Sequence, residues 1–306
     1  MEPRFRPDRV AGEPALSCQK LFYLRLGVPA EAMPTRRPAI GVFDSGFGGL
    51  TVLKALLELI PESDYLYFGD TARLPYGSKS AETVARYAAE ASHFLEGQGA
   101  QLLVIACNTA TALALDKITA GSGVPVVGVI DPGTESASKA SANQKVVVVG
   151  TDATISSHAY LRALEARGIR AKEKACPLLV PLVEEGWVEH AVTEQVARIY
   201  LDEAFAENFE NADVLLLGCT HYPLIAPLLR RVAPPHVKIV DSAESTAHVV
   251  RDLLRGTAIS GGAEEERRKS PRLKFFATDS VDKFRRLGAR FLGREIQDVE
   301  HVDLKE

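Results

Sequence analysis

The chain has 306 residues, 46% of them hydrophobic and 25% charged, enough for two domains of ordinary size with packed cores. Its 40 acidic and 36 basic residues are mixed along the sequence and leave a net charge of -4, which excludes an extended basic face for nucleic acid. Four cysteines are too few for a disulfide framework, and no apolar run approaches the ~20 residues of a membrane span.

Residues 1–37 are rich in proline and arginine and have no sustained periodicity, so they are expected to form an extension outside the folded domains, with Cys18 incidental to function. Within it, Leu21-Phe22-Tyr23-Leu24 is interrupted by Arg25 and Gly27, too soon for a signal peptide, and the expected compartment is the cytoplasm. From Ala39 onward short apolar runs alternate with helical patterns, the signature of parallel α/β architecture. Predicted strands cover 40–43, 65–68, 102–106, 126–130, 146–149, 214–217 and 274–277. Between them, Leu50, Leu53, Leu56 and Leu57, and again Val84, Tyr87, Ala88 and Ala91, recur at helical spacing. Residues 256–270, with Gly261-Gly262 and a charged run, are expected to be a mobile surface loop.

A half-repeat runs through this order. Each half opens with a strand entering a small polar turn, Phe43-Asp44-Ser45-Gly46 and Val149-Gly150-Thr151-Asp152. Each then reaches, after a similar distance, an apolar strand ending in cysteine: Ile105-Ala106-Cys107-Asn108-Thr109 and Leu217-Gly218-Cys219-Thr220-His221. Ligands of open α/β sheets bind beyond the carboxyl ends of strands, where both cysteines stand. A thiol at a helix N-terminus is expected to have a lowered pKa and to react as thiolate. A single cysteine there is commonly core filling; two in equivalent positions point to paired chemistry.

Other segments are less specific. Asp44-Ser45-Gly46-Phe47-Gly48-Gly49 is able to hold an anion on its backbone N–H groups, or to serve only as a helix cap. Thr51 stands where a dinucleotide fingerprint needs its last glycine, and no phosphate-loop motif occurs, so the expected anion is a carboxylated small molecule. The stretch 70–77 has surface-turn chemistry, with Tyr76-Gly77 able to present backbone N–H groups. Glu184 and Glu185 end an apolar stretch, where charged side chains are commonly solvated. His221 is close enough in sequence to assist Cys219, although a lone histidine is often a structural hydrogen-bonder. The Cys-x-His pair has no partner ligands in sequence, and no metal is expected.

Taken together, Asp44-Ser45-Gly46-Phe47-Gly48-Gly49-Leu50, Pro75-Tyr76-Gly77, Ala106-Cys107-Asn108-Thr109-Ala110 and Gly218-Cys219-Thr220-His221-Tyr222-Pro223-Leu224 closely resemble the glutamate racemase family of the aspartate/glutamate racemase superfamily. The resemblance runs from about Ile40 to Leu304 and takes in a final strand near Val299-Glu300-His301-Val302. It implies two similar α/β domains with mostly parallel sheets and an active site in the cleft between them. One domain would comprise 38–130 with 241–306, the other 131–240. It also implies cofactor-independent interconversion of L- and D-glutamate for peptidoglycan, hence a role in cell-wall biogenesis and cell shape, and a homodimer that needs neither nucleic acid nor membrane.

By the same resemblance Cys107 takes the α-proton from D-glutamate and Cys219 from L-glutamate, Asp44 supports Cys107, and Glu184 with His221 supports Cys219. Asp44, Ser45, Tyr76, Gly77, Asn108, Thr109, Thr220 and His221 would hold the substrate, with Thr151 and Thr154 as further candidates. An aspartate racemase or related two-cysteine isomerase remains an alternative, as does a non-catalytic amino-acid-binding protein using the same cleft.

Overall fold

A computed structural model describes residues 37–256 and 270–304. The expected N-terminal extension, apart from residue 37, and the expected surface loop between 256 and 270 lie outside the described residues.

In chain order the elements are β1 (Ala39–Asp44), α1 (Leu50–Leu59), β2 (Asp64–Gly69), a 3-10 turn (Tyr76–Ser78), α2 (Ala81–Gly97), β3 (Leu102–Ile105), α3 (Asn108–Gly121), β4 (Val126–Gly128), α4 (Ile130–Ala140) and β5 (Lys145–Gly150). They continue with α5 (Asp152–Ser156), α6 (Ala159–Glu165), β6 (Arg170–Ala175), α7 (Leu179–Glu184), α8 (Ala191–Ala204), β7 (Val214–Gly218), a second 3-10 turn (Tyr222–Ile225) and α9 (Ala226–Val232). Last come β8 (Lys238–Asp241), α10 (Ala243–Gly256), β9 (Leu273–Ala277), α11 (Val281–Leu292) and β10 (Val299–His301).

Among the described residues every strand pairing is parallel. Six strands form one sheet in the order β10-β9-β2-β1-β3-β4, and four form another in the order β6-β5-β7-β8. The first four strands of the chain and the next four therefore follow one plan, second-first-third-fourth, and β9 and β10 extend the first sheet. In each sheet the order reverses between the first and third strands, and the crevice beyond the strand ends at such a point is where α/β sheets bind ligands. The half-repeat read from the cysteine positions is thus a repeat of topology.

The central strands are apolar along their whole length because helices cover both faces of a parallel sheet. Val42, Phe43, Leu102, Val104, Val147, Val149, Leu215 and Leu217 are fully or almost fully buried. Helix α1 turns Leu50, Val52, Leu53 and Leu56 inward. Helix α2 starts at Ser80, whose hydroxyl accepts the Thr83 N–H at 3.3 Å, and buries Val84, Ala88, Ala91 and Leu95.

Three differences from the sequence reading have physical causes. The predicted strand 126–130 ends at Gly128, and Ile130 already belongs to α4; an apolar run does not distinguish a short strand from the first turn of a buried helix. The predicted strand 102–106 ends at Ile105, where the chain turns toward Cys107. Strands β6 and β8 escaped the reading because Arg-Ala-Lys-Glu-Lys-Ala and Lys-Ile-Val-Asp are edge strands, half exposed and charged, which suits an edge but hides it from hydrophobicity.

Candidate active site

Strand β1 delivers Asp44 fully buried at its carboxyl end. The following turn wraps the carboxylate: the Gly46 N–H donates to Asp44 Oδ2 at 2.9 Å. Gly49 allows this wrapping, since a Cβ there would lie 2.5 Å from Asp44 Cβ and 3.0 Å from Ala106 Cβ. Burial raises the Asp44 carboxyl above the usual carboxylate range, opposed by the charge of His221 and by the turn's N–H groups.

Strand β3 places Cys107 at the N-cap of α3, where its sulfur accepts the Ala110 N–H at 3.4 Å and its thiol donates to Ser45 Oγ at 3.5 Å. The lowered pKa expected at a helix start is not what this setting produces. Burial pushes the thiol up to about 12, with the charge of Asp44 adding to the rise, and the bonds from Ser45 and Ala110 only partly offset it. Burial therefore favours the thiol over the thiolate at Cys107, and a thiolate formed there is strongly basic.

Strand β7 places Cys219 at the equivalent position, but a 3-10 turn follows rather than an α-helix. Its sulfur lies 4.0 Å from His221 Nδ1, and His221 Nε2 lies 3.3 Å from Glu184 Oε1 at the end of α7. Burial alone would lower the imidazole; hydrogen bonding to Cys219 and Glu184, with their charges, raises it to about 10. The Glu184 carboxyl is partly buried, which raises it, and His221 with Lys283 brings it below the usual value overall. Lys283 Nζ, from α11, donates to Glu184 Oε2 at 3.2 Å. Phe291 of the same helix meets the His221 ring edge-on, with ring centres 5.3 Å apart. Sequence reasoning missed Lys283 and Phe291, whose connection to His221 exists only in the tertiary fold.

The halves also meet across the site. The Thr220 hydroxyl donates to Asp44 Oδ1 at 3.4 Å. The hydroxyls of Thr109, Thr151 and Thr154 form a triangle with sides of 2.9–3.1 Å. Tyr160 of α6 donates to Asn108 Oδ1 at 2.5 Å. A Cβ on Gly77 would come 2.7 Å from Thr151 Cβ, and one on Gly48 would collide with the Thr220 hydroxyl. The Tyr76 hydroxyl donates to Asp70, which also accepts from Arg73 Nε at 2.7 Å and Thr278 Oγ1 at 2.9 Å, so the turn 70–77 is tied to the end of β9.

These elements enclose a cavity of about 290 Å³. Ser45, Tyr76, Gly77, Cys107, Asn108, Thr109, Thr151, Glu184, Cys219, Thr220 and His221 line it, together with others that include Val180, Pro181, Asp152 and Glu185. Of the residues singled out in the sequence, Asp44 and Thr154 stand behind the wall. Cys107 and Cys219 are 4% and 7% exposed, so each is almost fully buried while still lining the cavity. Among the described residues no cluster of three or more His, Cys, Asp and Glu has the arrangement of a metal site, and no helix is long and apolar enough to cross a membrane.

The Asp/Glu/hydantoin racemase family model matches residues 40–250. A glutamate racemase of Koribacter versatilis (strain Ellin345) is 59% identical, with 89% of this chain and 99% of that protein covered. The crystal structure of glutamate racemase from Francisella tularensis subsp. tularensis SCHU S4 in complex with D-glutamate superposes with a TM-score of 0.80 at 36% identity, covering 89% of this chain and 99% of that one. The glutamate racemase from Thermus thermophilus in complex with β-chloro-D-alanine does so with a TM-score of 0.78 at 42% identity, over 89% and 99% of the two chains.

Proposed function

The chain belongs to the Asp/Glu/hydantoin racemase family, and from that premise we propose how its cleft carries out the reaction. It interconverts L-glutamate and D-glutamate, the latter a building block of peptidoglycan. Inverting an α-carbon requires removing a proton from one face and adding one to the other. The observation that carries the reading is that Cys107 and Cys219, one from each half of the topological repeat, line one cavity.

In the D-to-L direction Cys107, as thiolate, takes the α-proton, and the C–H electron pair stays on the α-carbon, delocalised into the α-carboxylate. The Cys219 thiol then gives its proton to the opposite face. Afterwards Cys107 is a thiol and Cys219 a thiolate, which is the starting arrangement for L-glutamate. Residues beside each sulfur move the balance. A Cys107 thiolate, formed once its proton has passed to substrate in the L-to-D direction, is buried and strongly basic, which makes it a strong proton acceptor. On the other side the His221 imidazolium, held by Glu184, neutralises a Cys219 thiolate or resupplies its proton. Ser45, Asn108, Thr109 and Thr220, with the backbone at Tyr76-Gly77, hold the carboxylates and the amino group. Their donors stabilise charge as it develops on the α-carboxylate. Thr151 faces the same space, and Thr154 acts through the threonine triangle.

The cytoplasm is the proposed compartment, supported by the free thiols of Cys107, Cys176 and Cys219. Assembly as a homodimer belongs to the same reading, and sedimentation of the purified chain tests it. Specificity is tested by a chiral assay on L-glutamate, D-glutamate, L-aspartate and L-alanine with no pyridoxal phosphate. Both glutamate isomers are expected to converge on an equal mixture; faster turnover of aspartate would assign the pocket to the shorter substrate.

A further inference from the structure

Asn108 lines the cavity and is 4% exposed, yet its side-chain Nδ2 is buried without a hydrogen-bond partner. A buried amide donor left unpaired is costly unless a ligand satisfies it. The other end of the amide is engaged: the fully buried Tyr160 donates its hydroxyl to Asn108 Oδ1 at 2.5 Å. Tyr160 comes from α6 in the second half of the repeat, and its ring packs on the end of β7 just before Cys219, where a Cβ on Gly218 would lie 3.0 Å from Tyr160 Cε2. Ser242 meets the same tyrosine hydroxyl from the start of α10.

We propose that Tyr160 is a positioning residue for the racemase reaction: by occupying Asn108 Oδ1 it points the Asn108 Nδ2 donor into the cleft, toward a carboxylate of glutamate. The proposal rests on the racemase reading above and adds a residue to it. An asparagine amide has two nearly isosteric ends, and only its hydrogen bonds decide which faces a ligand. Were it reversed, a carbonyl oxygen would confront the substrate carboxylate and repel it. Burial raises the Tyr160 phenol well above its ordinary value, so the hydroxyl remains a donor throughout the working pH range. Because the tyrosine belongs to one half and the asparagine to the other, the donor is set correctly only when the two halves are in register.

The test measures kcat and KM in both directions on wild type, Tyr160→Phe, Asn108→Ala and the double variant. Kd for D-glutamate is measured by titration calorimetry on the same four proteins carrying Cys107→Ala and Cys219→Ala, so that the ligand is not inverted during the titration. Phenylalanine keeps the packed ring, so melting is expected to stay close to wild type. Tyr160→Phe is expected to weaken D-glutamate about tenfold and to raise KM in step, with kcat changed much less. On the Asn108→Ala background the same substitution is expected to add less than about twofold, since its effect passes through Asn108. Asn108→Asp is a second probe: Tyr160 would hold one carboxylate oxygen, leaving the other to repel substrate, and binding should be weaker than in Asn108→Ala.

Effects that multiply in the double variant, or an Asn108→Asp variant that binds as well as wild type, would overturn the proposal. An unchanged Kd in Tyr160→Phe beside a weakened Asn108→Ala would remove Tyr160 alone. A wild-type Kd in Asn108→Ala would remove Asn108 from the binding set and Tyr160 with it. Failure of the wild-type protein to invert glutamate would instead contradict the racemase reading itself.

Discussion

The sulfur of Cys107 meets a serine hydroxyl and a backbone N–H, whereas that of Cys219 faces an imidazole backed by a carboxylate. Such asymmetry has a measurable consequence in the pH profile. His221 is faced by Cys219, by Glu184 from α7, by Asp44 from β1 and, through Glu184, by Lys283 from α11. With its pKa raised to about 10, the imidazole stays protonated at neutral pH and loses that proton only in strong alkali. Glu184→Gln removes an anion that favours the imidazolium, so the His221 pKa falls and the alkaline limb of kcat/KM is expected to move to lower pH. A limb that stays in place would show that His221 does not control it. At this scale the sequence was informative where chemistry is local: Cys-Asn-Thr and Cys-Thr-His are contiguous, and both cysteines, with the residues after them, line the cavity. It was silent on Tyr160, Lys283 and Phe291, which reach the site from distant elements. It also misjudged the Cys107 pKa, because position at a helix start is legible in sequence and depth of burial is not.

Among the elements, the buried strands β1, β2, β3, β5, β7 and β9 were legible because a parallel strand covered on both faces must be apolar throughout. Edge strands β6 and β8 were hidden by their charges. The turn between β2 and α2 matters for a different reason, because it carries Tyr76-Gly77 to the other half of the protein. There Gly77 permits an approach to Thr151 at the start of α5 that a side chain would obstruct, with Cβ to Cβ at 2.7 Å. Gly77→Ala is therefore expected to displace the turn or α5. The expected loss is about a hundredfold in kcat/KM, as small misplacements in an active site commonly cost, with melting close to wild type. Activity within twofold of wild type would show that the approach is slack.

Over the whole molecule, a four-strand plan occurs twice, and the crevices at the two strand-order reversals meet at one cavity. The repeat supplies two similar thiols, and the surrounding elements make them unlike: Asp44 stands near Cys107, while Glu184, His221 and Lys283 stand near Cys219. Helix α11 contributes to this from the C-terminal part of the chain, where β9 and β10 rejoin the first sheet. The matched cysteine strands made the repeat readable in sequence; the return of the C-terminal segment to the first sheet was readable only through resemblance to a family.

The two-thiol account is tested most directly by following α-proton exchange and inversion of each glutamate enantiomer in deuterated water, by NMR and chiral analysis, with Cys107→Ala and Cys219→Ala. Neither variant should invert glutamate, while both still bind it. Cys107→Ala should exchange the α-proton of L-glutamate only, through Cys219, and Cys219→Ala that of D-glutamate only, through Cys107. Inversion at near wild-type rate by either variant, or exchange with the opposite pairing of enantiomers, would contradict the assignment of one thiol to each face.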